Sequence, residues 1–535
     1  MSGGLAARLD ALFAPWNCSD EPGLVVALAQ HGRLLYRRGF GLASLASGLA
    51  LRPTSRLRIG STSKPFTGLA LAMLADEGRL DLDADLRRWL PELPDFGAPL
   101  SPRLVAQHRS GLRCHLDLWS ITTGARARWP DAEPWQQLLR LRELNYPPGQ
   151  QLIYSNGGYL LLARLIERVS ELSFAEFLEQ RIFRPLGMAD TELAARDERE
   201  LARQASLHVR RPEGGFQRGE MRLPMSGDGG LLSSADDLLR WLAELRRPSL
   251  PGVGRQLASV DEVVLPDGSP GDYGLGLIAR PWRGYRSLGH PGAVMGGVSE
   301  AFTLPALGLD VVLLANRSDL AIKSLGQQVV DAVLGETTAA STLAAADQAT
   351  RCGSYYQAEG GQLLDILALD GELGVDFGGA RARLQAGEGG ELCFAGSLGD
   401  FRFRWPEPDA LEVWEAGVWR RYQRLGASPP ATSAAKLAGS YRSAELAAEA
   451  RVLRLDGRWC LGLQGRHGRA LYALTARAPG VWSASLADGG SATRLVVEVL
   501  PGEGRAAGFT LSSLRSRKLR FERCRAGGPL LEDWG

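Results

Sequence analysis

The 535-residue sequence predicts an α+β chain, a helical region packed on an antiparallel sheet, followed by two small antiparallel β-barrels. Three observations carry this. Strand patterns open and close the first 335 residues, with helical periodicity between them. Two small-residue, polar segments, 335–348 and 428–435, then break the chain as linkers would. Behind each begins a matching stretch. Gly353-Ser354-Tyr355 recurs as Gly439-Ser440-Tyr441, Leu369-Asp370-Gly371 as Leu455-Asp456-Gly457, and Gly379 as Gly465, all 86 residues apart. One ungapped offset shared by three groups marks a duplicated domain. The expected units are 1–335, 349–427 and 436–535.

Within the first unit, Leu24–Gln30 reads as an apolar strand, His31-Gly32 as a turn, and Arg33–Phe40 as a second strand. Residues 64–77 carry Phe66, Leu69, Ala70, Met73 and Leu74 at helical spacing, and Gly78 ends that helix. From 80 to 240 the chain is helical and loop-rich, with amphipathic stretches at 160–169 and 235–245. Strands return at 299–304 and 310–315, and a helix over 321–334 closes the unit. Each later copy alternates short strands with Asp-Gly and Gly-Gly turns, the pattern of a small barrel.

Composition is that of a globular protein, with 45% hydrophobic and 23% charged residues. A formal net charge of +2 gives no reason to expect nucleic acid or a membrane surface as partner. The first sixteen residues lack a basic n-region and an unbroken apolar run, so the cytoplasm is the expected compartment. Six scattered cysteines without a C-x-x-C pair read as reduced, buried thiols. Four histidines, His31, His115, His208 and His467, show no ligand spacing, and neither metal nor cofactor is implied.

Ser61-Thr62-Ser63-Lys64 is the stretch with chemistry in it. A serine and a lysine three apart share one helix face, Gly60 permits a sharp entry, and Pro65 fits only a first helical turn. Ser61 therefore stands at a helix N-terminus, where backbone N–H groups favour an oxyanion and a nearby amine can take the hydroxyl proton. An N-cap serine followed by a surface lysine would look the same. Further stretches downstream change the balance: Tyr154-Ser155-Asn156, His290-Pro291-Gly292, His108-Arg109-Ser110-Gly111-Leu112, Tyr146-Pro147-Pro148-Gly149, and the run from Gly229 to Asp237.

Together and in this order, over residues 20–335, they resemble the serine β-lactamase and DD-peptidase superfamily, in which S-x-x-K is paired with a Lys-Thr-Gly element. Tyr-Ser-Asn in place of Ser-Asp-Asn, and His-Pro-Gly in place of Lys-Thr-Gly, look like the branch holding class C β-lactamases, esterases and D-aminopeptidases. A catalytic domain followed by two lipocalin-like barrels resembles the D-aminopeptidases. That resemblance implies an α+β β-lactamase-like fold and a homodimer. It implies a serine hydrolase that releases an N-terminal D-residue from small peptides, amides or esters, with β-lactams as inhibitors. The nearer alternative is an esterase, D-amino-acid amidase or β-lactam hydrolase on the same scaffold; the further one is a binding protein with a decayed catalytic domain.

The resemblance assigns Ser61 as nucleophile and Lys64 or Tyr154 as general base, a choice the sequence leaves open. Asn156 would donate to the substrate amide or to Lys64. His290 would offer a cation or hydrogen bond from an edge strand, or be a turn histidine. Gly292 would let that strand approach the substrate, with the N–H near Ala293 completing the oxyanion hole. Asp488, on a loop of the second barrel, would bind the substrate's ammonium group, although Asp-Gly is also an ordinary hairpin turn. His108 reads as structural, capping backbone near Ser110, and Asp228 as a turn aspartate.

Overall fold

The computed structural model describes residues 2–196, 203–335, 348–369, 371–387, 391–396, 399–415, 417–426, 435–488 and 494–524. Nearly all of both predicted linkers lies outside them. The first unit is built on a six-stranded antiparallel sheet in which the first and last strands of the unit are central neighbours. Leu24–Gln30 pairs with Leu309–Ala315 on one side and with Arg33–Phe40 on the other. His31 and Gly32, both at positive φ, make the two-residue hairpin turn the sequence predicts. The remaining order is Gly297–Leu304, Tyr285–Val294 and, at the edge, Ile278–Trp282. The last two of these carry no clear alternation and are not evident from periodicity.

Both faces of the sheet are buried, and the period of two assigns residues to each. Val25, Ala27, Val312 and Leu314 enter the core shared with Phe66 and Leu69. Leu24, Val26, Val311 and Leu313 face the opposite core, with Leu9 and Phe13 of helix Ser2–Phe13 and Val329 of helix Ile322–Leu334. Helix Lys64–Asp76 is buried continuously from Lys64 to Leu74. Its apolar residues run around the whole circumference, as a central helix requires. Helices Asn156–Ser170 and Val253–Asp261 pack on it.

The two later units are both antiparallel barrels, one closed and one nearly so. The second closes with eight strands, from Gly439–Ser443 to Leu519–Arg523. The first has nine strands, and its seam stays open between Ala380–Arg383 and the two-residue strand Gln385–Ala386. The repeat is visible in a shared device. Tyr355 donates to the Arg351 carbonyl at 2.9 Å and accepts from Arg424 at 2.6 Å; Tyr441 donates to the Leu437 carbonyl and accepts from Arg523, both at 2.5 Å. In each barrel the tyrosine is the third residue of the first strand and the arginine lies in the last.

The closed barrel is seated on the catalytic unit. Arg113 and Glu445, both buried, form an ion pair across the junction, and Gln137 donates to the Glu445 carbonyl at 3.0 Å. Tyr472 donates to the Ile121 carbonyl at 2.9 Å, at the end of helix His115–Thr123. Leu461, Tyr472 and Leu486 belong to the same apolar cluster as Ile121 and Leu138. No helix among the described residues is long and apolar enough to cross a membrane.

Candidate active site

Ser61 lies in the short 3₁₀ turn Gly60–Ser63 that runs directly into helix Lys64–Asp76, with Pro65 in the first helical turn. The entry needs glycine, because Gly60 has φ +50° and a side chain there would meet the Ala293 backbone at 2.7–2.9 Å. Thr62 and Ser299 pin the turn: Thr62 donates to the His290 carbonyl at 2.9 Å, and Ser299 to the Ile59 carbonyl at 2.8 Å. Ser63 accepts from the Leu231 N–H at 3.2 Å. Thus the run that begins at Gly229 acts as a wall behind the nucleophile, its strand Leu231–Ser233 pairing with Leu57–Arg58.

Lys64 is fully buried, and its Nζ stands 3.0 Å from Ser61 Oγ and 2.8 Å from Asn156 Oδ1. It also donates to the Asp228 carbonyl. Burial lowers its pKa to about 7; the Asp228 carboxylate pushes the other way, and the Arg515 guanidinium adds to the lowering. Tyr154 is buried too, and Ser61 lies within hydrogen-bonding reach of its phenol. Burial raises the phenol's pKa, opposed by the Ser61 hydrogen bond and by Arg515. Lys64 Nζ sits 4.7 Å from the centre of the Tyr154 ring. Ser61, Lys64, Tyr154 and Asn156 are therefore assembled as one group.

The Tyr-Ser-Asn stretch works as a helix start. Ser155 is the N-cap of helix Asn156–Ser170, accepting from Gly158 N–H at 3.3 Å. Tyr154 just before it and Asn156 just after it are thereby aimed at Lys64. His108 supports them: its Nδ1 accepts from the Ser155 N–H at 3.2 Å, and its ring packs 4.1 Å from that of Tyr154. It is structural, as the sequence suggests, but it caps Ser155 rather than the backbone near Ser110. Asp228 is a turn aspartate, Oδ1 accepting from Ser226 N–H at 2.9 Å, yet its buried Oδ2, 3.9 Å from His115 Nε2, has no hydrogen-bond partner among the described residues, and its charge bears on Lys64.

His290 and Gly292 lie on strand Tyr285–Val294, which is inside the sheet as far as Gly289. Beyond Gly289 the outer strand ends, so residues 290–294 present a free edge to the Ser61 turn. The His290 ring does not present a cation there. Its Nδ1 bonds the Pro291 carbonyl at 2.5 Å, its Nε2 meets the Tyr273 hydroxyl at 3.0 Å, and burial lowers its pKa to about 3. Gly292 is required by the nucleophile turn itself, since a side chain there would meet the Ile59 carbonyl oxygen at 1.9 Å and Ser299 Oγ at 2.4 Å.

Asp488 follows the fifth strand of the closed barrel. Half-exposed at the end of strand Val481–Leu486, it forms an ion pair with Arg126. The second barrel does send a side chain into the site, but from another turn: Arg515 lies with its guanidinium carbon 5.0 Å over the Tyr154 ring. The cysteines are all free, and only Cys114 and Cys460 are buried; Cys114 accepts from Asn156 Nδ2 at 3.7 Å. Neither Arg515 nor Cys114 belongs to any local motif. No signal in the sequence marks them: the docking of the barrel brings Arg515 to Tyr154, and the packing of the turn before helix His115–Thr123 brings Cys114 to Asn156.

This arrangement suits acyl transfer. A hydroxyl at a turn before a helix, a buried amine whose proton is loosely held, and a phenol meet at one edge of the sheet. Curated relatives match the chain nearly end to end. A D-aminopeptidase of Brucella canis is 28% identical over 94% of this chain and 96% of its own length. A D-aminopeptidase of Brucella anthropi is 29% identical over 86% of each. Among solved structures, the octameric penicillin-binding protein homologue from Pyrococcus abyssi superposes with a TM-score of 0.56 at 20% identity, covering 88% of this chain and 99% of its own. The D-amino acid amidase from Ochrobactrum anthropi SV3 gives 0.53 at 23% identity, covering 62% and 98%. Those two likenesses bear on the fold. The Beta-lactamase family model matches residues 10–331, the whole sheet-and-helix unit that carries Ser61, Lys64 and Tyr154, and the chain belongs to the Beta-lactamase family.

Proposed function

We propose that this chain is a serine hydrolase that releases the N-terminal D-amino acid from peptides, amides or esters through an acyl-enzyme on Ser61. The observation that carries the proposal is the contact of Lys64 Nζ with Ser61 Oγ, on a chain that D-aminopeptidases match through the catalytic unit and both barrels. Ser61 Oγ attacks the scissile carbonyl while neutral Lys64 takes its proton. With its pKa near 7, Lys64 is available as a base at neutral pH, whereas Tyr154 stays a protonated phenol. Tyr154 then hands a proton to the leaving amine and, in deacylation, orients the water. The N–H groups of Ser61 and Ala293 hold the oxyanion. Asn156 keeps Lys64 directed at Ser61, and His290 and Gly292 shape the strand edge along which the substrate lies.

Amine recognition falls to Asp488, whose carboxylate would exchange the Arg126 guanidinium for the substrate's ammonium group. The same reading takes the working unit to be a cytoplasmic homodimer with units 1–335, 349–427 and 436–535. The test is hydrolysis of D-alanine p-nitroanilide beside its L-enantiomer and its N-acetyl form, with Ser61→Ala as blank. Cleavage of the free D-compound alone is the expected result. Equal cleavage of the N-acetyl form would turn the assignment to an esterase, amidase or β-lactam hydrolase.

A further inference from the structure

Arg515 sits on the turn between strands Gly508–Ser512 and Leu519–Arg523 of the closed barrel. The turn is clamped to the catalytic unit by its backbone. Asp117 accepts from the Arg515 N–H at 3.0 Å and from Ser513 Oγ at 2.6 Å. Asn145 donates to the Arg515 carbonyl at 2.9 Å and accepts from the Arg517 N–H at 2.8 Å, while Arg113 donates to the Arg517 carbonyl at 3.0 Å. The side chain is therefore presented from a fixed support, and none of these bonds uses its guanidinium.

Three arginines elsewhere in the chain, with side chains at most 10% exposed, are paired with carboxylates. Arg246 is paired with Asp310 at 2.6 and 2.9 Å, and Arg113 and Arg494 pair with Glu445 and Asp365. Arg515 makes no ion pair among the described residues; around it lie the Tyr154 ring, the Cys114 thiol, the Asp117 carboxylate, which favours its charge, and a second cation, Lys64. Asp117 Oδ2 is taken by Ser513 Oγ and the Arg515 N–H, so the fork of donors on the guanidinium, which matches a carboxylate's two oxygens, stays open to a substrate. His290, with both ring nitrogens engaged, neutralises nothing and supplies no competing cation. Positive charge recurs just beyond the strand edge. Gly219 packs against the Met295 carbonyl and lines a cavity of about 530 Å³ with Arg126, Arg128, Arg218 and Arg222, faced by two acids, Glu220 in the lining and Asp488 paired with Arg126. A field of this sign draws anionic substrates towards the cleft.

We propose that Arg515 binds a carboxylate carried by the substrate, so that the site prefers anionic D-aminoacyl substrates to their neutral amides. The inference rests on the D-aminopeptidase reading for the scissile bond and adds the substrate class. Two sources supply that carboxylate, the free C-terminus of a leaving amino acid or the side chain of an acidic D-residue.

The experiment is a pair of rate ratios: kcat/KM for D-alanyl-glycine over D-alanyl-glycinamide, and for D-glutamic acid p-nitroanilide over its D-glutamine counterpart. One ratio is expected at about 10- to 100-fold in the wild type, the worth of a charged hydrogen bond, and which one identifies the source. It should fall to near one in Arg515→Met and survive in part in Arg515→Lys. Any general loss of rate divides out. Both ratios near one in the wild type, or an unchanged ratio in Arg515→Met, would overturn the proposal. If Arg515→Met does not fold, the wild-type ratios and Arg515→Lys decide. Calorimetry of the same four compounds with Ser61→Ala reads Arg515 without turnover. Should none be cleaved, the aminopeptidase reading fails, while tighter binding of a carboxylate form would still carry Arg515 and equal binding would overturn it.

Discussion

Lys64 Nζ, itself fully buried, lies 3.0 Å from the partly exposed Ser61 Oγ, and the same burial that fixes the amine there lowers its pKa to about 7. Proximity and basicity have one cause here. In water the amine would be protonated at neutral pH and unable to accept the hydroxyl proton.

The rate should therefore rise with pH through about 7, as Lys64 loses its proton, and level off above. A pH profile of kcat/KM on a D-aminoacyl anilide checks this, and Lys64→Met should lower the rate about 10²–10⁴-fold. Stability should follow the same group. The folded-state pKa is depressed from 10.5, so between about 7 and 10.5 the unfolded chain binds the extra proton and stability increases with pH. Below 7 the full burial penalty applies. Thermal melts of Lys64→Met should lack that rise.

Two charges tune the same limb in opposite directions. Asp228 raises the Lys64 pKa and Arg515 lowers it. The acid limb should move to lower pH in Asp228→Asn and to higher pH in Arg515→Met. Movement of both variants in one direction would contradict the electrostatic account.

Tyr154→Phe removes the proton carrier and leaves the ring that packs on His108 at 4.1 Å. The expected result is a fall in kcat of about 10²–10⁴-fold, with KM little changed and the acid limb still near 7. A shift of that limb in the phenylalanine variant would instead make Tyr154 the base.

The Arg113–Glu445 pair is a buried electrostatic link between catalytic unit and closed barrel. Glu445→Ala should cost about 3–5 kcal/mol in denaturant unfolding, because it strands a buried guanidinium. Arg113 also holds the Arg517 carbonyl, so any preference owed to Arg515 should weaken in the same variant.

Gly292→Ala should abolish activity with little soluble, folded protein, since its new methyl would overlap the Ile59 carbonyl at 1.9 Å. Circular dichroism and anilide turnover read the two effects. Full activity would show that the strand edge yields more easily than its packing against the Ser61 turn suggests.

Local features of this protein were legible in one dimension because short-range sterics and period-two or period-3.6 patterning act over a few residues. Gly60 and Pro65 around Ser61 announce a turn into a helix, His31-Gly32 a hairpin, and the Gly-Ser-Tyr repeats a duplicated barrel; each is where the sequence puts it. The assembly of Ser61, Lys64, Tyr154 and Asn156 was legible through their motifs. Other features depend on which surfaces meet. His290 lost any charge because folding enclosed it between Tyr273 and the Pro291 carbonyl, and Gly292 proved to serve the nucleophile turn. Asp488 and Arg515 both lie on turns of the closed barrel, and nothing local separates them. Docking on helix His115–Thr123 and on Asn145 directs one to Arg126 and the other over Tyr154. The sequence by itself determined the Ser61 turn, its helix and the barrels; which barrel residue reaches Tyr154 was decided by tertiary packing, because that choice is made by long-range complementarity between two surfaces rather than by any stretch of chain.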